Sequence, residues 1–203
     1  MQKIIDPEVL MLANRATTLH QEYVSSTADI WATSPFAWIK AQPSRRVGKI
    51  GEQLVTDYFA ARNLHVDKAG DSDYDRQIEG LRAEIKFATL WESGDFVFQQ
   101  IRDQSYDVVI ALGLLPFDAK CWVIPKDVIL AKPEGVNPQH TGRAGKDTLW
   151  LRFRWDRPPA WLDKWGGTLL AASRKIAEMA RTVPRARVAE RPASYSSRES
   201  KAT

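Results

Sequence analysis

The chain has 203 residues and one cysteine, Cys121. One thiol excludes an intramolecular disulfide and a cysteine-based zinc cluster. Histidine is nearly as scarce. His20, His65 and His140 lack the companion spacing of a zinc site. No apolar run approaches the roughly 18 residues that span a bilayer. At the N-terminus, Asp6 and Glu8 interrupt the continuous apolar stretch that a signal peptide needs. The expectation is a cytosolic protein with no membrane partner. Internal repeats are absent, and surplus charge is small. The formal net charge is +4. From residue 183 onward, Arg185, Arg187, Arg191, Arg198 and Lys201 stand against Glu190 and Glu199, so that segment carries +3 of it. The body is close to neutral, and its basicity alone says little about a partner. Residues 183–203, rich in Pro, Ser, Arg and Ala, read as a disordered basic tail.

What is present is ordinary globular material, 44% hydrophobic and 27% charged. The length suits a single domain over residues 1–182, with its core at about 45–130. Asp6-Pro7-Glu8 reads as a helix start, with Asp6 as N-cap and Pro7 at the first helical position, the helix running to about Val24. Trp31, Phe36 and Trp38 follow in an irregular stretch and are expected to cover a core. Residues 45–62 form the clearest helix, with Ser44 as its cap. Val47, Ile50, Leu54, Val55, Tyr58 and Phe59 recur at helical spacing, which sets Glu52 at the edge of the apolar stripe.

Strand patterns follow. "LHVDKAG" alternates. Segments 74–78 and 81–88 form a hairpin around Glu79-Gly80. "DVVIALGLLP" (107–116) reads as a strand buried on both faces, and "CWVIP" (121–125) as another. "PKDVILA" is a short helix or turn, and 133–148 a polar loop. "LWLRFRW" (149–155) alternates, with Arg152 and Arg154 away from its apolar face. A helix follows Gly167. The expected architecture is α/β: a mixed central β-sheet flanked by helices, with a helical segment at the N-terminus.

The hairpin register sets Asp75 opposite Glu84. Like charges in that position destabilise a sheet. On segment 81–88, Arg82, Glu84 and Lys86 share the face opposite Leu81, Ala83, Ile85 and Phe87. Two carboxylates and an ammonium therefore converge. A surface hairpin relieved by its lysine would look similar in sequence. A divalent cation gives the arrangement a purpose. Mg²⁺ takes oxygen ligands from one or two carboxylates and keeps waters for a phosphate to displace. It polarises a phosphodiester and acidifies a bound water, with Lys86 positioning that water or offsetting developing charge. Asp71 and Asp73 flank the site. A one-residue slip would exchange Asp75 for Asp73, so both stay open as the ligand.

"GKIGEQLVTDYFAARNLHV" followed by "DSDYDRQIEGLRAEIKFAT" resembles the PD-(D/E)xK nuclease superfamily, most of all its type II restriction endonucleases. That pattern is a helix acid, an Asp, then Glu/Asp-x-Lys on the next strand of a mixed sheet. The resemblance covers about residues 45–125 and departs where Tyr74, not proline, precedes Asp75. It implies a metal-dependent endonuclease acting on double-stranded DNA, using Mg²⁺ with Mn²⁺ as a substitute. Asp75, Glu84 and the Ile85 carbonyl would hold the metal. Lys86 and Glu52 would serve catalysis, joined by a glutamine from a helix after the lysine strand: Gln100, Gln99 or Gln104, with Tyr106 nearby. Arg102 on that segment is a candidate phosphate contact. His140, Arg143 and Lys146, in a glycine-bearing loop, are candidate DNA contacts. A homodimer follows by analogy. The alternatives are a structure-specific enzyme such as a junction resolvase, and a DNA-binding protein that keeps the fold without catalysis.

Overall fold

The computed structural model describes residues 6, 9–15, 30–139 and 148–182. His140, Arg143, Lys146 and the tail from 183 lie outside them, as does most of the first expected helix. Its start is described: Asp6 accepts from the Val9 N–H through Oδ1 at 3.4 Å, as an N-cap does, and residues 9–15 are helical, α1.

Two further helices precede the first strand, α2 (Ala37–Lys40) and α3 (Ser44–Ala61). Pro43, not Ser44, occupies the N-cap of α3, and no side chain caps it. Proline's fixed φ and missing N–H suit a helix entry, which displaces the cap expected at Ser44. Val55 and Phe59 on the apolar stripe are buried.

The main sheet has five strands, β1 (Val66–Lys68), β2 (Arg76–Ile78), β3 (Leu81–Thr89), β5 (Val108–Leu114) and β6 (Ala119–Pro125), in the order β1-β2-β3-β5-β6. β3 and β5 are parallel; the other pairs are antiparallel. The fold is thus mixed α/β with a mixed central sheet flanked by helices. All seven residues of β5 are buried, as its continuous apolar run requires. The β2–β3 turn has Glu79 at φ 51° and Gly80 at φ 85°. Two positive-φ residues make the primed turn whose twist matches the flanking strands. It fixes the register Ile78↔Leu81, Gln77↔Arg82, Arg76↔Ala83.

A second sheet departs from expectation. Gln99 and Gln100, expected on a helix after the lysine strand, lie in strand β4 (Asp95–Ile101). The loop at 133–148 contains strand β7 (Val136–Gln139). Both pair with β8 (Thr148–Arg154) in the antiparallel order β4-β8-β7. Phe96, Phe98 and Phe153 from this sheet meet Trp122 of β6, with centroids 5.2 to 6.4 Å apart. These aromatic contacts tie the sheets together.

Two glycines show how the main sheet is covered. A Cβ on Gly51 of α3 would stand 2.3 Å from the Phe87 side chain, so this helix lies tight against the Phe87 face of β3. A Cβ on Gly113 would stand 2.7 Å from Phe96. Gly113 pairs with Ala88, on the face that also carries Glu84 and Lys86. The second sheet therefore covers the far end of that face. The remaining described elements are α4 (Lys126–Leu130), between β6 and β7, then a 3₁₀ turn at Ala160–Trp165 and α5 (Leu169–Ala180) after β8. Trp31 is buried and Phe36 packs on the core, whereas Trp38 is 54% exposed. Among the described residues, no helix is long and apolar enough to cross a membrane.

Candidate active site

The hairpin ladder ends one pair before the two acids would meet. Asp75 donates its N–H to the Ala83 carbonyl (2.9 Å) and accepts from the Ile85 N–H through Oδ2 (2.7 Å). Its carboxylate thus replaces the next backbone rung of β2. The direct opposition of Asp75 and Glu84 expected from the register is corrected to a sideways approach, with Asp75 on the edge of β3. A strand residue directs its N–H and C=O to the same side of the ladder. The Ile85 carbonyl therefore points to the edge where Asp75 sits. The Asp73 N–H donates to Asp71 Oδ1 (2.8 Å) in the preceding turn.

Glu84 and Lys86 stand on one face and pair, Nζ to Oε1, at 2.6 Å. Their side chains are only 10% and 16% exposed. Burial pushes the Glu84 carboxyl up, Lys86 pulls it down, Asp75 pushes it up again, and Arg102 pulls it down; the net direction is upward. Four charges thus act on one another around the middle of β3.

Glu52 reaches the group from α3. Burial raises its carboxyl above the usual range, and the Asp75 charge adds to that against the pull of Arg76 and Lys49. Arg76, which the sequence reading passed over, joins the parts. Its guanidinium donates to the Asp75 carbonyl (2.6 Å) and Thr56 Oγ1 (3.2 Å), and lies 3.8 Å from Glu52 Oε2. It ties α3 to the hairpin, so Glu52 and Asp75 keep their relative places. The available signal was its position beside Asp75, opposite Ala83.

The glutamines fall differently than on a helix. Gln99 and Gln100 are exposed at a register break in β4 between Phe98 and Ile101, where Gln100 adopts φ 57°. Such a bulge bends a strand and redirects the residues beyond it. Arg102 follows, with its charge acting on Glu84. The Gln104 carbonyl accepts from Lys126 Nζ. Arg152 and Arg154, on the side of β8 away from its apolar face, are engaged by acids, Arg152 with Asp95 at 2.6 Å and Arg154 with Asp156 at 3.0 Å.

The donor chemistry suits a hard cation. Asp75 and Glu84 offer carboxylate oxygens and Ile85 a carbonyl, with no sulfur and no imidazole. Among the described residues, no cluster of three or more His, Cys, Asp or Glu side chains is arranged to hold a metal. Two carboxylates and one main-chain oxygen form a sparse set, which matches a cation that retains several waters. The bond from Ile85 uses Asp75 Oδ2, and the Lys86 contact uses Glu84 Oε1.

No family model matches the chain, and no curated protein does. Among solved structures, the chain is similar to a bacterial homing endonuclease, I-Ssp6803I. The two are 15% identical with a TM-score of 0.42, over 70% of this chain and all of the other. A likeness of that size carries no argument about function.

Proposed function

We propose that the chain is a Mg²⁺-dependent DNA endonuclease, of restriction type, hydrolysing phosphodiesters of duplex DNA. The observation that supports it is the local geometry: Asp75 bonded to the backbone of the same strand that carries the buried Glu84–Lys86 pair. Sheet stability does not ask for the Glu84–Lys86 pair. A buried ion pair is a poor stabiliser, since its desolvation offsets its attraction. Carboxyls raised by burial, as Glu84 and Glu52 are, gather at functional sites.

In this reading Asp75, Glu84 and the Ile85 carbonyl hold the cation. Mg²⁺ would supply Lewis acidity and an acidified water. The residues of the chain do the rest. Lys86, released from Glu84, sets its ammonium beside the scissile phosphate, where it orients the attacking water and offsets charge on the phosphoryl oxygens. Glu52, held by Arg76, supports that water from the helix side. Arg102 offers a guanidinium to a flanking phosphate. His140, Arg143 and Lys146 belong to the proposal as DNA contacts from the sequence alone. Cutting both strands with one such site per chain calls for two copies.

A defined plasmid incubated with Mg²⁺ tests the reading. Linear products with one end sequence, suppressed by EDTA, are expected. Products with scattered ends, or cutting confined to branched DNA, would favour the structure-specific alternative. Metal-independent binding with no cutting of duplex, branched or single-stranded DNA would leave a binding protein that keeps the fold.

A further inference from the structure

From Ile30 to Gly51 the chain carries four cations, Lys40, Arg45, Arg46 and Lys49, and no acid. With +3 from residue 183 onward and +4 here, out of a total of +4, everything else sums to −3. The positive surplus of the body is therefore gathered at one place. All four side chains are exposed. Helix stability does not call for them. Arg45, Arg46 and Lys49 fall in the first two turns of α3, where positive charge opposes the helix dipole, and the first turn holds no acid to offset it.

Two of these cations lie on the flank of α3 that leads to the candidate site. Arg45, Lys49, Glu52 and Thr56 are spaced four, three and four apart, which sets them in one strip along the helix. The far end of that strip meets β2: Arg76 donates to Thr56 Oγ1 (3.2 Å) and stands 3.8 Å from Glu52. Arg76 pairs with Ala83, while Gly51 abuts Phe87. Moving toward the start of α3 therefore moves along β3 toward Thr89. β2 pairs with β3 only over Leu81–Ala83, whereas β5 pairs with it from Ala83 to Thr89. Beyond the Asp75 rung, no strand among the described residues covers the β2 side of β3. The strip runs beside that open edge. Lys40, whose ammonium lies 4.9 Å over the Trp31 ring, lines a cleft with Thr89 and Trp91 and extends the cationic surface past the end of β3. Arg45 stands about 10 Å along the helix axis from Glu52, a span of about three nucleotides of one DNA strand.

We propose that Lys40, Arg45 and Lys49 seat the sugar-phosphate backbone of duplex DNA and lay it along the open edge of β3, toward Asp75 and the Ile85 carbonyl. The inference rests on the nuclease reading above and supplies its DNA-holding surface. Phosphate contacts carry no sequence information, so this surface acts alike on every duplex. Each cation that meets a phosphate releases condensed counterions, which steepens the fall of log K with log salt by about one unit.

The test is binding of the full chain to two duplexes of unrelated sequence across a salt series, by fluorescence anisotropy in EDTA, with thermal unfolding alongside. The proteins are the wild type, the single variants Arg45→Gln and Lys49→Gln, and the triple variant that adds Lys40→Gln to both. A control neutralises three other exposed cations, Lys164→Gln, Arg174→Gln and Arg181→Gln. Each single variant is expected to lose about one unit of slope. The triple variant is expected to lose roughly two to three units and, at about 0.1 M salt, on the order of a hundredfold in affinity for both duplexes, while melting at or above the wild-type temperature. The control should keep the wild-type slope. An unchanged slope in the triple variant, or equal losses in triple variant and control, overturns this proposal alone; in the second case net charge, not this surface, holds the DNA. A loss confined to one of the duplexes also overturns it, because phosphate contacts serve both. No binding of either duplex by the wild type at any salt, in EDTA or in Mg²⁺, removes the proposal together with the nuclease reading.

Discussion

The Asp75 carboxylate accepts the Ile85 N–H at 2.7 Å, so an acidic side chain takes the place of a backbone rung on the edge of β3. The charge is thereby locked to the strand that presents Glu84 and Lys86, while its second oxygen lies outside that bond. Asparagine can keep the hydrogen bond but not the charge; alanine keeps neither. Asp75→Ala is expected to lose about 1 kcal/mol of stability relative to Asp75→Asn, the usual worth of one such bond. Urea unfolding of the two variants measures it, and equal stabilities would mean that the bond contributes nothing.

Lys86→Ala leaves the Glu84 carboxylate with its cation gone in a site where its side chain is 10% exposed. Removing one partner of a buried pair is costly, and a loss of about 2–3 kcal/mol is expected, toward the low side because water reaches the site. Replacing both, as Glu84→Gln with Lys86→Met, should recover at least half of it. A double-mutant cycle in urea gives the coupling directly.

Gly51 lies next to Glu52 and against Phe87. Gly51→Ala puts a methyl where the Phe87 Cβ already stands, 2.3 Å away. The helix must shift outward, at a cost of about 1–3 kcal/mol. Glu52 moves with it. Lower thermal stability and slower DNA cutting should appear together, whereas Gly48→Ala, whose new methyl meets no atom within 4 Å, should show neither.

Asp95 is held below the usual carboxylate range, first by the hydrogen bond from Arg152 and then by Ser93. A group with a depressed folded pKa adds stability that is complete above its unfolded value, about 3.9, and is lost as the pH falls through the folded value. Arg152→Ala should therefore cost roughly 1 kcal/mol at neutral pH, because the guanidinium is half exposed. The deficit should shrink once the pH drops below about 4. Unfolding curves at neutral and acid pH show whether it does.

Cys121 is completely buried in β6, and burial pushes its thiol pKa to about 12. The thiolate is the reactive form. Native protein is expected to resist a water-soluble disulfide reagent and to react with one equivalent after unfolding. Rapid labelling of native protein would contradict the buried β6.

The β2–β3 hairpin was legible because Gly80 and its neighbour mark a two-residue turn, and apolar alternation then fixes which residues share a face. β5 was legible from its unbroken apolar run. The second sheet was not. β4 carries Gln99-Gln100, exposed at a bulge before Ile101, and two polar residues there erase the alternation that marks a strand. β7 contains Pro138, which demotes a strand in any sequence reading and is tolerated beside β8. Asp75, Glu84 and Lys86 were picked out by register, but the register alone set the acids face to face. The side-chain rung from Asp75 to Ile85 needed coordinates. So did Arg76, because a clamp between α3 and the hairpin exists only in three dimensions.

The most direct measurement is the initial rate of plasmid cutting in Mg²⁺ by Asp75→Asn, compared with wild type and with both in EDTA. The substitution preserves shape and removes one charge. A wild-type rate abolished by EDTA, with Asp75→Asn slower by on the order of a hundredfold or more and folded as judged by its melting curve, is the predicted result. Cutting by Asp75→Asn at the wild-type rate, or wild-type cutting that persists in EDTA, would contradict the account.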